Sequence, residues 1–415
     1  MKAGIIIAAL AASQSTPEIC TERLCYADNI APFFEALAES ERNSGDPIHI
    51  LQLGDSHTAG DMITNGWREE LRERYGHGGR GVLAAGRPYG GYLTWGVTAS
   101  QTSGWEVNSN FGRGYANYGR PLGLSGFSQT ARAEGEMLGI SADTPDQAFN
   151  RIIVCAISQP GAGTLTMRLG FETERFELDG PEQRTVCRTM DSEYPQLGAS
   201  VTTDDDRIVT VTSFATMMRE GGVVLSNLGV SGSQFVHVGR SSDEVVMAEL
   251  AAYDPDLLVI AFGTNEGFSQ QLSPSEFESD LRAQVNRLRR LAGRELPILL
   301  IGAPDANTRN RGLADNFGAP VPCADPPGVD SGGRPWYTPT LLAELRDRQR
   351  RVARDMGLAF WDWNAAMGGR CGAHRWRSRE LMRGDRVHFN QTGGARIGQM
   401  LFADLERAAA ASSER

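Results

Sequence analysis

Hydrophobic and polar positions change period several times along the chain, and those changes divide it. Ile30, Phe33, Phe34 and Leu37 fall at helical spacing within Asp28–Glu41, with Gly45 placed to end that helix. Ile48–Leu53 follows as an apolar-rich run that predicts a buried strand. A turn with Gly54, Asp55 and Ser56 comes next, then a helix from about Asp61 to Tyr75. Gly76, Gly78, Gly79, Gly81, Gly86, Gly90 and Gly91 break the pattern. Their spacing matches no phosphate-cradling motif and no Lys-Ser/Thr follows, so the stretch reads as a flexible loop beside a cleft.

From about Val97 to Gly221 helical periodicity fades. Short strand-like runs (Ile152–Ile157, Leu165–Phe171, Thr185–Arg188, Ile208–Phe214) alternate with turns rich in Gly, Asp, Ser and Pro, the pattern of a β-sandwich. Strand–helix alternation then resumes. Val223–Ser226, Leu257–Phe262, Pro297–Ile301 and Leu358–Trp361 read as strands. Asp243–Ala252, a segment capped at Ser273 or Ser275, Pro339–Met356 and Thr392–Ala410 read as helices. The irregular stretch Pro304–Trp336 is long enough for a binding loop or lid. Alternation of this kind implies an α/β fold, a parallel sheet with helices on both faces. The expected division is an N-terminal segment 1–19, an α/β domain in two parts (20–97 and 222–411), and an inserted β-sandwich at 98–221.

Composition narrows the function classes. A net charge of -10, with no basic cluster interleaved with aromatics, excludes a nucleic-acid surface. No run reaches the roughly 18–20 apolar residues of a membrane span. Met1–Ser13 carries one lysine, a short apolar run and then small residues, the pattern of an export signal, so a periplasmic or secreted location is expected. Cys20, Cys25, Cys155, Cys187, Cys323 and Cys371 form no Cys-x-x-Cys pair and no Cys/His grouping with structural zinc spacing. For an exported chain the simplest pairing is in sequence order, 20–25, 155–187 and 323–371; buried free thiols are the alternative.

In open parallel sheets, sites form outside the carboxyl ends of the strands. Four segments meet that condition: Gly54-Asp-Ser-His57, Ser226–Gly232, Gly263-Thr-Asn-Glu266 and Asp385-x-x-His388, the last just before the final helix. Ser56 needs an imidazole to take its proton, and His388 supplies one. That imidazole needs an acceptor to fix its tautomer, and Asp385 sits on the same loop. The backbone N–H groups of Ser56 and Gly232 and the Asn265 side-chain amide are available as oxyanion donors. His57 and Glu266 are the two neighbours that could touch substrate; for His57, packing against the loop is an equal expectation. Trp361 and Trp363 read mainly as packing residues.

These four blocks, in this order and spacing, resemble those of the SGNH (GDSL-type) hydrolases. The resemblance implies a flavodoxin-like three-layer α/β/α fold and ester cleavage with neither a metal nor a cofactor. It also implies Ser56 as nucleophile, His388 as base, Asp385 as its partner, and Gly232 and Asn265 in the oxyanion hole. His57 departs from the Leu of the name-giving motif, and Glu266 from a common Asp. The longer stretches Gln52–Asp61, Arg68, Leu71 and Tyr75–Val82 are similar to secreted bacterial peptidoglycan O-acetylesterases, which carry an inserted carbohydrate-binding-like sandwich. The expected partner is therefore an O-acetylated glycan, and the expected activity is acetyl ester hydrolysis. The alternatives are an O-acetyltransferase built on the same triad and an inactive wall-binding protein.

Overall fold

Ile48 and Ile50 point to one side of their strand and Leu51 and Leu53 to the other, and both sides are buried in separate apolar clusters. Such a strand belongs in the middle of a covered sheet. In the computed structural model, which describes residues 20–42, 45–112, 121–325 and 333–413, it does. The expected export signal at 1–19 lies outside the described residues.

Strand Ile48–Gly54 runs parallel between Val223–Gly229 and Leu257–Ala261. Ile298–Ile301 and Ala359–Trp361 extend the sheet beyond Leu257–Ala261, also in parallel. In chain order the five strands therefore lie 2-1-3-4-5, the flavodoxin-like order. A small hairpin, Cys20–Thr21 with Leu24–Cys25, adds an antiparallel edge. Helices Ala31–Ser40, Met62–Tyr75 and Gln391–Ser413 cover one face through Phe33, Trp67 and Leu401. Asp243–Tyr253, Pro274–Ala292 and Thr340–Met356 cover the other through Leu250, Val285 and Leu345. Ser273 caps its helix by accepting from the Glu276 N–H, one of the two caps the sequence offered. Trp361 and Trp363 are core residues, as expected.

The sandwich is present as two antiparallel sheets. One contains Arg184–Gln196, Phe149–Ser158, Val209–Met217, Phe127–Ala131 and Glu106–Ser109. The other contains Glu172–Glu177, Thr164–Leu169, Gly198–Thr203, Met137–Ala142 and Val97–Gln101. Phe149, Val154, Leu165, Val201 and Phe214 fill the space between them.

The glycine-rich stretch is not simply a flexible loop. Gly79–Ala84 is a strand, antiparallel to Val209–Met217, so a sandwich sheet takes a strand from before residue 97. Gly79 has φ 115°, and a Cβ there would lie 2.4 Å from the Met217 Cα. That sheet's outer face rests on helix Asp243–Tyr253. Buried Glu249 on the helix accepts from Thr212 Oγ1 (2.7 Å), Ser213 Oγ (2.5 Å) and the Leu124 N–H (2.6 Å). Burial nevertheless pushes its carboxyl above the ordinary range.

All six cysteines are paired, as 20–25, 155–187 and 323–371. The third bridge anchors the irregular stretch, whose described part holds the one-turn helix Arg311–Ala314, a two-residue pairing of Pro322–Cys323 with Trp336–Tyr337 and a single bridge between Thr308 and Tyr337. Among the described residues no helix is long and apolar enough to cross a membrane, and no group of three or more His, Cys, Asp or Glu could hold a metal.

Candidate active site

The first and third strands of the sheet lie side by side, and the chain leaves them in opposite directions around the sheet. Their carboxyl ends open a crevice at that point. Ser56 follows the first strand and begins a one-turn helix, Ser56–Ala59. Asp55 caps it by accepting from the His57 N–H at 2.9 Å. Ser56 Oγ lies 2.9 Å from His388 Nε2, and His388 Nδ1 lies 2.8 Å from Asp385 Oδ2. With Nδ1–H donating to the carboxylate, Nε2 presents its lone pair to the serine hydroxyl. Asp385 Oδ1 also accepts from the Val387 and His388 N–H groups, both at 3.0 Å. Partial burial works against the charged carboxylate, but these hydrogen bonds outweigh it and hold Asp385 below its ordinary value.

Gly232 follows the second strand with φ 81°, and the Phe111 ring stands 3.0 Å from where a Cβ would be. Asn265 is the second residue of the one-turn helix Thr264–Gly267, and its Nδ2 donates to the Ser233 carbonyl at 2.8 Å. One amide hydrogen is thereby used to orient the side chain, and the second is left for a ligand. Ser56, Gly232, Asn265 and His388 all line one cavity of about 440 Å³. Four segments distant in sequence meet there, and the geometry suits attack by a serine on an ester whose carbonyl oxygen faces N–H donors.

Glu266 and His57, the two neighbours expected to touch substrate, are both held by hydrogen bonds within the protein. Glu266 is not among the residues lining the cavity; it is buried, and its two oxygens accept from the Phe235 N–H (2.8 Å) and the Gly263 N–H (3.1 Å). Burial pushes its carboxyl up to about 7 against those hydrogen bonds. The residue cross-links the loops that carry Gly232 and Asn265. His57 does line the cavity, yet it is only 5% exposed, and Nε2 donates to the Val387 carbonyl at 2.8 Å. Its Nδ1 faces Asp55 Oδ1 at 3.2 Å, so both ring nitrogens meet acceptors. Burial opposes the imidazolium, but Asp55 and the Val387 carbonyl prevail and raise its pKa.

Sequence reasoning missed two parts of the site. Tyr89 and Leu93, from the end of the glycine-rich stretch, form part of the cavity wall, as do Met62 and Arg383. Behind the wall lies buried Asp61, held down to about 2: burial would raise it, but the Arg68 and Arg80 charges dominate. Its oxygens accept from Arg68 (2.9 Å), Arg80 (3.0 Å), Asn227 Nδ2 (2.8 Å) and the Trp95 N–H (3.1 Å). Asp61 at the start of a helix, Arg68 within it and Arg80 just beyond it were the available signal.

The parallel sheet in 2-1-3-4-5 order with an inserted β-sandwich is the fold of an SGNH-type hydrolase. Residues 198–396, just under half of the chain, match the model of the GDSL-like Lipase/Acylhydrolase family. The match spans Gly232, Asn265, Asp385 and His388 but begins after Ser56, which the sandwich separates from the rest. Among solved structures, one described as "Peptidoglycan O-acetylesterase in action, 5 min" overlays with a TM-score of 0.74 at 24% identity, covering 92% of this chain and 96% of its own. A family two carbohydrate esterase from Clostridium thermocellum overlays with a TM-score of 0.30 at 10% identity, covering 74% of this chain and 98% of its own. No curated protein sequence matches the chain.

Proposed function

We propose that the protein is an exported serine esterase that removes O-acetyl groups from a glycan, with peptidoglycan as the substrate. The observation that carries the reading is the Ser56–His388–Asp385 relay facing a cavity lined also by Gly232 and Asn265. Ser56 Oγ attacks the acetyl carbonyl carbon while His388 Nε2 takes the hydroxyl proton. The oxyanion is held by the Ser56 and Gly232 N–H groups and Asn265 Nδ2. His388 returns its proton to the sugar oxygen as the acyl C–O bond breaks, leaving acetyl-Ser56. Water then gives a proton to His388 and attacks the acetyl carbon, and acetate leaves as Ser56 recovers the proton.

The substrate reading draws support from the peptidoglycan O-acetylesterase whose fold spans nearly the whole chain. Export is supported by the N-terminal pattern and by three disulfides, which persist in oxidising compartments. The test is acetate release from O-acetylated peptidoglycan, acetylated xylan and aryl acetates. Peptidoglycan should be the preferred polymer, and Ser56→Ala should lower turnover by at least ~10³. Near-parental turnover of an aryl acetate by purified Ser56→Ala enzyme would sink the mechanism.

A further inference from the structure

Arg383 is the one permanently charged side chain among the described residues lining the catalytic cavity; the rest are apolar, hydroxyl, amide, imidazole or glycine. It is exposed, and no carboxylate lies within ion-pair distance of it among the described residues. Most exposed arginines are merely solvated. This one differs in where it is rooted. Its N–H donates to the His388 carbonyl at 2.8 Å, and its own carbonyl accepts from the Arg386 N–H at 3.1 Å. Neighbouring Met382 bridges Phe389 across the same turn. The backbone that fixes His388 and Asp385 therefore fixes Arg383 too, at the rim of the space where the acyl group must sit. The nearest acid in sequence, Asp385, is already engaged by His388 and two backbone N–H groups.

The surrounding charge sharpens the point. The chain carries a net charge of -10, a field that disfavours an anionic ligand. A cation placed beside the nucleophile offsets that field locally, and a guanidinium offers a planar fork that matches a carboxylate. We propose that Arg383 is a specificity-determining residue that binds a carboxylate carried by the acetylated sugar itself, selecting acidic over neutral acetylated glycans. The proposal rests on the reading of the site given above. In peptidoglycan the lactyl ether of the muramic acid residue supplies such a group once it is free of peptide.

Two synthetic sugars isolate the charge: 6-O-acetyl-N-acetylmuramic acid and its lactyl carboxamide, which has nearly the same shape without the charge. Acetate release from each is followed with the intact protein, Arg383→Gln and Arg383→Lys. The parent enzyme is expected to favour the acid by about tenfold in kcat/KM, from the strength of charge-assisted hydrogen bonds. Arg383→Gln should bring that ratio to within about twofold of unity, and Arg383→Lys should restore part of it. The parental preference should shrink as sodium chloride is added. Equal turnover of acid and carboxamide by the parent, or equal losses on both in Arg383→Gln, overturns the assignment. Turnover of aryl acetates with none of either sugar or of O-acetylated peptidoglycan overturns the underlying substrate reading instead.

Discussion

His57 lies next to Ser56 and lines the cavity, yet both of its ring nitrogens are engaged by protein acceptors. Its ring donates to the Val387 carbonyl, one residue before the base, and lies 5.1 Å from Trp363 and 5.4 Å from His388, centroid to centroid. The imidazole thus holds the loop that carries Asp385 and His388 against the turn that carries Ser56. His57→Phe keeps the aromatic contacts but leaves the Val387 carbonyl without its donor. We expect kcat to fall on the order of tenfold with KM little changed, since orientation of the base is lost while the cavity keeps its shape. A rise in KM with unchanged kcat would show instead that His57 meets substrate directly. The sequence allowed both roles, because burial of a loop histidine leaves no trace in its neighbours. Glu266 is a similar case: nothing in Gly-Thr-Asn-Glu distinguishes a carboxylate aimed at substrate from one clamped on two backbone N–H groups.

The secondary-structure elements divide by how local their causes are. Strand Ile48–Gly54 and helix Pro274–Ala292 were legible because the apolar pattern and the Ser273 cap lie within the element itself. Gly79–Ala84 was illegible because its identity is set by residues far away. Gly79 and Gly81 are required where the strand passes closely over Met217 and Ser226, and glycines erase the period-2 signal of a strand. Gly79→Ala is therefore expected to destabilise the protein by about 2 kcal/mol or more, from a strained φ and a backbone clash together. Denaturant unfolding measures it, and a midpoint equal to the parent's would refute the close-packing account. The four segments that converge on the candidate site were picked out by a topological rule rather than by local pattern. The cavity wall (Tyr89, Leu93, Arg383) was not found, because no such rule covers the loops that fold over a crevice.

On the scale of the whole molecule, buried polar groups join the two modules. His49, on the first strand of the parallel sheet, has Nδ1 2.7 Å from the Tyr253 carbonyl and Nε2 2.6 Å from Ser226 Oγ. The same hydroxyl accepts from the Val82 N–H in the sandwich strand. Burial lowers His49 from 6.5 to about 4, more than the Tyr253 carbonyl offsets. Because the folded value is depressed, the neutral form stabilises the fold fully above pH 6.5, and that contribution is lost as pH falls through 4. At about 1.4 kcal/mol per pH unit, the loss amounts to about 3 kcal/mol between those limits. The denaturant midpoint should therefore fall on acidification, and His49→Asn should flatten that fall while lowering the midpoint at pH 7. An unchanged slope in the variant would remove His49 from the account.

The strand Gly79–Ala84 also fixes an order of events in time. It leaves the ribosome well before its partner Val209–Met217. Strand Ile48–Gly54 likewise precedes both of its neighbours, Val223–Gly229 and Leu257–Ala261, by the full length of the sandwich. The segment with Ser56 is thus among the first made and must wait, its apolar edges unpaired, until the inserted module has emerged. A chain cut short within the sandwich would expose both edges at once, which makes partial chains the species most prone to aggregate.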